Sequence, residues 1–215
     1  MSTSLRPLAL AAVSAVGLLF LGGCAFVPGP AAAPTNTTVP SDQRLEEAHP
    51  VPPEGRVVGV GMVLDASGDV QLCLGAIMES YPPQCHGVPL DGWTWDGVEG
   101  SDDSGETTWG DYAVYATYDG ERLTLTDPPI MAALYDSIAP EDPTGGVDGA
   151  TPEDELARVQ DDIAARLGTE AVTVGTDRGY VWVQVVWDDG AIQEAMDAEY
   201  GEGVVVVSSA LRETD

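Results

Sequence analysis

Lysine is absent from this 215-residue chain; its eight basic residues are all arginine, set against 36 aspartates and glutamates. The net charge is −28 with histidine neutral. So little positive charge excludes nucleic-acid binding, which rests on neutralising phosphates with Lys and Arg. It also excludes a polybasic contact with anionic lipid heads. Histidine occurs only at His49 and His86. There is no His-Glu-x-x-His, no Gly-x-Ser-x-Gly, no phosphate-binding glycine loop and no Cys-x-x-Cys. One histidine in the folded part does not make a zinc site. Calcium fails as well: in Asp65-Ala66-Ser67-Gly68-Asp69 the glycine stands at the fourth position, and the twelfth is Ala76, where an EF-hand needs glutamate. No metal and no cofactor are expected. The acids could attract cations or a basic partner, but they are spread through the chain, as suits a solvated surface that keeps a protein soluble.

What is present begins at the N-terminus. An apolar run from Pro7 to Leu21 follows a short segment whose only charge is Arg6, and ends in Leu21-Gly22-Gly23-Cys24. That is the charged, apolar and small-residue pattern of a secretory signal. The run is shorter than the 20 or so apolar residues of a membrane span and is broken by Gly17. The cysteine at the cut point resembles the lipobox of bacterial lipoproteins. The resemblance implies that residues 1–23 are removed and that Cys24 carries lipid. The protein is then exported and anchored to the outer face of the cytoplasmic membrane. Two or more acyl chains suffice for stable anchoring. Cys73 and Cys85 remain as an even pair in an oxidising setting, where a disulfide is the default. A loop of that size stabilises by about 3 kcal/mol in the chain-entropy model.

Composition divides the rest. Residues 24–55, rich in Pro, Ala and Thr, read as a tether. Residues 56–127 read as strands: Val58, Val60, Met62 and Leu64 alternate, Asp65 to Asp69 is turn chemistry, and 70–74 returns. Residues 112–118 and 122–126 form a second hairpin about Asp119-Gly120, read as a two-residue turn, and Trp93-Thr94-Trp95 reads as a further strand. About five strands in a small domain close to remove their edges. The expectation is an antiparallel, OB-like β-barrel stapled by Cys73–Cys85. Residues 128–150 read as an acidic connector in which Ile130, Met131, Leu134 and Tyr135 form a docking helical turn. Residues 151–215 change period. Leu156, Val159, Ile163 and Leu167 make a helical stripe; strands at 171–174 and 180–187, a helix marked by Ile192, Met196 and Tyr200, and a strand at 203–207 complete an αββαβ sandwich. The fold class is α+β.

Aromatic residues give the clearest functional lead. Trp93 and Trp95, two apart, share a face of any strand they occupy, with Tyr81 and Trp109 flanking them. Together they form a platform for sugar rings or a protein partner, unless they fill the barrel core. The stretch Leu72-Cys73-Leu74-Gly75, Glu79-Ser80-Tyr81-Pro82-Pro83-Gln84-Cys85 and Gly92-Trp93-x-Trp95 resembles a set of actinobacterial exported proteins and lipoproteins, as does the tail from Tyr200 to Arg212. The resemblance implies the disulfide and the location, and carries no catalytic residues. The expected function is a lipid-anchored envelope module that binds another envelope protein or a cell-wall glycan. The alternative is a hydrolase using carboxylates of residues 91–103.

Overall fold

Two long paired strands, the first rich in valine and the second in tyrosine, are the axis of the protein. The computed structural model describes residues 44–137, 139 and 141–214; Cys24 and the leader expected at 1–23 lie outside them. β1 is Arg56–Ala66, β2 Asp69–Cys73, β3 Val88–Asp91, β4 Asp102–Ser104, β5 Thr107–Tyr118, β6 Leu123–Leu125 and β7 Ile130–Met131. β1 pairs antiparallel with β5 along its whole length, from Arg56 opposite Thr117 to Ala66 opposite Thr107. β2 pairs with β1, β3 with β2, and β6 with both β3 and β5. These pairings close a ring of five strands, β1-β2-β3-β6-β5, while β4 and β7 pair with β5 outside it.

The ring is mixed, where antiparallel pairing was expected. The β3–β6 seam, Leu90 opposite Leu123, is parallel. The reason is arithmetic: strands that alternate in direction cannot do so all the way round an odd-numbered ring, so one seam must join strands running the same way.

Alternation along each strand sets the inside. Val57 and Val63 of β1, and Tyr112, Val114 and Ala116 of β5, point into one cluster with Leu72, Leu90 and Leu123. Leu211, from the far end of the chain, completes that cluster and is 1% exposed. The other face of β1 and β5 carries Leu64 and Trp109, which pack outside the barrel against the Cys73–Cys85 disulfide and Ile77.

Turns explain two departures from expectation. Ser67 and Gly68 have φ of 60° and 97°, so the β1–β2 hairpin uses two left-handed residues. In the second hairpin only Gly120 is left-handed. The Asp119 carboxylate instead accepts from the N–H groups of Glu121 and Arg122, at 2.9 and 2.7 Å, and widens the connection to four residues before β6. Residues 93–95 form a loop and no strand, bounded by left-handed Gly92, Gly97 and Gly100.

The second layer holds α1 (Glu153–Leu167), β8 (Ala171–Asp177), β9 (Tyr180–Val185), α2 (Ala191–Tyr200) and β10 (Val205–Ser209). Its sheet runs β10-β9-β8, with β9 parallel to β10 and antiparallel to β8. The α1 stripe, Leu156, Ile163 and Leu167 with Val159 beside them, packs on Val181, Val183, Val185 and Met196. Asp188 starts α2 by accepting the Ile192 N–H at 2.9 Å. Gln193 of α2 covers the β10 edge: its amide accepts from the Val207 N–H at 2.8 Å and donates to the Val205 carbonyl at 3.1 Å. The chain then returns to the barrel, because β11 (Arg212–Thr214) pairs antiparallel with β1 at Arg56–Val58.

Residues 44–52 have the composition of a tether, yet they strap the second layer. Leu45 is 5% exposed within the α1–α2 core, and its N–H donates to Glu199 Oε1 at 3.1 Å. Arg166 donates to Glu46 at 2.8 Å and to both Glu199 oxygens, and Trp187 Nε1 donates to the Val51 carbonyl at 2.9 Å. Hydrogen bonds from Arg166 hold the Glu46 and Glu199 carboxyls below the ordinary glutamate value. Burial, with an O–H donated to Asp162, pushes the Tyr200 phenol up to about 12.

Two outcomes follow. Gly61 lies against β2, where a Cβ would stand 2.2 Å from the Cys73 carbonyl oxygen, whereas a Cβ on Gly175 would meet nothing within 4 Å. Gly61→Ala therefore lowers the unfolding free energy by about 1–3 kcal/mol, and Gly175→Ala is neutral or stabilising by up to about 1 kcal/mol; urea midpoints read both. The strap's ionic contribution is complete above pH 4.5, the ordinary glutamate value, and is lost as pH falls through the lowered values of Glu46 and Glu199. Hydrogen exchange of the Leu45 amide, corrected for its intrinsic pH dependence, rises across that window. In Arg166→Met it is already fast at neutral pH.

Candidate functional site

One loop carries most of the recognition chemistry. Residues 92–101 leave β3 at a glycine and cross the end of the barrel before β4. Trp93 and Trp95 fasten it. Their rings meet edge to face at 5.1 Å between centroids, and Trp93 stands 5.2 Å from the ring of Tyr112. Tyr112 is 1% exposed and donates its O–H to the Glu99 carbonyl at 3.0 Å. Trp95 Nε1 donates to Asp65 Oδ2 at 3.0 Å, which ties the loop to the end of β1. The Trp93 indole N–H is buried and has no hydrogen-bond partner among the described residues.

The four expected aromatics thus fall into two pairs. Trp93 and Trp95 cover the barrel end, half-buried against the inner cluster. Trp109 is buried on the outer face beside Leu64 and Cys73, and Tyr81, at the tip of the disulfide loop and 77% exposed, meets it edge-on at 5.6 Å. The separation has a simple cause. Trp109 and Tyr112 are three apart in β5, so they point to opposite sides of the strand.

A cleft lies on each side of the loop. On one side Trp93 joins Asp69, Gln71, Asp91 and Arg122 in a polar cleft of about 490 Å³. Arg122 grips Asp91 with two bonds of 2.8 and 2.6 Å. That guanidinium holds the Asp91 carboxyl below the usual range, the reverse of what a general acid needs.

On the other side residues 94–99 face residues 125–134 across a cleft of about 640 Å³. The far wall is β7 and the turn after it, Ala132–Leu134. β7 lies beside β5, with Met131 opposite Tyr112. Met131 also packs under Gly100, where a Cβ would come within 2.8 Å of its methyl. Val98, Leu125, Ile130 and Met131 line the cleft with Pro128 and Pro129, and Tyr112 lies at its base. Ile130 and Leu134 carry the apolar surface out to solvent, at 37% and 75% exposure. Carboxylates edge both walls. Asp127 is bonded to Arg56 at 2.9 Å and to the Thr126 hydroxyl at 2.7 Å, which together lower its carboxyl. Asp96 and Glu99, opposite, take part in no ion pair among the described residues.

Sequence reasoning missed this second cleft. Its far wall comes from the stretch read as connector, in which Ile130, Met131 and Leu134 were expected to form a docking turn. The signal was Asp127-Pro128-Pro129 directly after a strand, with apolar residues beyond it. Among the described residues no group of three His, Cys, Asp or Glu side chains is placed to hold a metal. Comparison with protein-family models, curated proteins and solved structures returned no match.

The two tryptophans differ in one measurable respect. Trp95→Phe loses a bond to a carboxylate, whereas Trp93→Phe removes a buried N–H that has no partner. Trp95→Phe should therefore cost about 1–2 kcal/mol more than Trp93→Phe in unfolding free energy.

Proposed function

We propose that this chain is a binding module of the cell envelope. A lipid on Cys24 holds it at the outer face of the cytoplasmic membrane, and it captures another envelope protein in the 640 Å³ cleft. The observation that carries this reading is the cleft itself. It has an apolar base, it opens onto exposed Ile130 and Leu134, and it is braced by a loop that three aromatic rings fix to the barrel. Sites of this volume with apolar walls and a few placed polar groups are the usual form of a binding pocket. We also read the five-stranded ring as OB-like, because barrels of that kind bind ligands with strand faces and the loops between them.

A cell-wall glycan is the second reading, favoured by Trp93. An indole beside Asp69, Gln71, Asp91 and Arg122 offers an apolar face and planar hydrogen-bonding groups at one place.

Two measurements test the proposal. Cys24→Ser should release the protein from membranes into the soluble fraction. In the lipidated full chain, a photo-crosslinking residue at Leu134 should join one discrete envelope protein, while the same residue at Thr173, on β8, should not. Crosslinking to glycan strands from position 93 alone would favour the second reading, and equal yields from Leu134 and Thr173 would remove the first.

A further inference from the structure

The charge on the larger cleft is lopsided. On the 125–134 wall Asp127 is already neutralised by Arg56. On the 94–99 wall Asp96 and Glu99 face the cleft without an ion-pair partner among the described residues. The apolar surface is lopsided in the opposite sense: exposed Ile130 and Leu134 belong to the wall whose charge is satisfied. An occupant that matched both walls would turn a cation to one and an apolar side chain to the other.

We propose that the cleft takes an extended peptide segment of a partner protein in which an arginine or lysine adjoins a leucine-like side chain. This rests on the binding-module reading and names what that module selects. The cation pairs with Asp96 and Glu99, and the apolar side chain lies on Ile130 and Leu134, with Val98 and Met131 beneath. The net charge of −28 attracts such a segment from a distance and repels acidic ones. A nucleic acid or an anionic headgroup meets the same repulsion. A sugar would find poor stacking here. Tyr112 is the one aromatic lining the cleft among the described residues; it is buried and its O–H already donates to the Glu99 backbone carbonyl. A bare metal ion would leave the apolar wall uncovered.

The test uses the full chain in detergent and three labelled heptapeptides, read by fluorescence anisotropy. The first is Gly-Pro-Leu-Arg-Leu-Pro-Gly. The second replaces arginine with glutamate, and the third replaces both leucines with glycine. The first should bind at least about ten-fold more tightly than either other, and the margin over the glutamate peptide should shrink in high salt. Asp96→Asn with Glu99→Gln should weaken the first peptide about ten-fold. Asp161→Asn with Glu170→Gln, which changes net charge equally at a distance, should leave it unchanged. Leu134→Asp, at an exposed position that folding tolerates, should remove the preference for leucine over glycine. Equal binding of all three peptides, or indifference to the Asp96 and Glu99 changes, would overturn the assignment. So would an absence of binding by every probe. In that case a surviving crosslink from Leu134 would show that the cleft binds a partner of other chemistry, and loss of that crosslink would show that the module reading itself had failed.

Discussion

The pairing of β1 with β5 is the contact on which the other elements depend. It runs the full eleven residues of β1 and fixes which side of each strand faces inward. Val57 and Val63 meet Tyr112, Val114 and Ala116 on one side; Leu64 meets Trp109 on the other. A slip of one residue would turn every one of these side chains to the wrong face. The small residues of β1 belong to the same constraint. Gly59 leaves the space that Leu72 and Leu211 fill, and Gly61 lets β2 lie close. Because Leu211 follows the second sheet in sequence, barrel and second layer close on each other, with β11 completing the edge of β1.

The candidate site grows out of that pairing. Tyr112 sits on the inward face of β5 and becomes both the base of the larger cleft and the anchor of the 92–101 loop. β7 then pairs with the same strand at Tyr112 and Ala113, so both walls of the cleft are referred to one segment of β5. Both walls are thus anchored on one strand, an arrangement that lowers the ordering cost of binding. The carboxylates around it are unequal: Asp127 on the far wall is paired with Arg56, while Asp96 and Glu99 on the loop wall face the cleft with no ion-pair partner among the described residues.

Much of this was legible in the chain and some was not, for physical reasons. The Cys73–Cys85 bond, a closed five-strand barrel and the change from period two to helical period followed from local pattern, although the ring takes Val88–Asp91 where 93–95 was expected. The parallel seam is a property of the closed ring and of no single segment: it follows from the odd number of strands, which the antiparallel expectation overlooked. Trp93-Thr94-Trp95 has strand-like alternation, but the glycines around it take conformations that a strand cannot use. Residues 44–52 have a linker's composition, and what holds them is distant in sequence: the core around Leu45, Arg166 on Glu46, and Trp187 on Val51. The cleft joins a loop to a connector through β5, so its two walls are far apart in the chain and neither resembles a motif.

The most direct measurement is a crystal structure of the full chain bound to the Gly-Pro-Leu-Arg-Leu-Pro-Gly peptide. The guanidinium should stand at hydrogen-bond distance, about 3 Å, from Asp96 or Glu99, with a leucine on Ile130 and Leu134 and the 92–101 loop unmoved. A peptide seated against Trp93 and Arg122, or elsewhere on the surface, would contradict the assignment of the cleft.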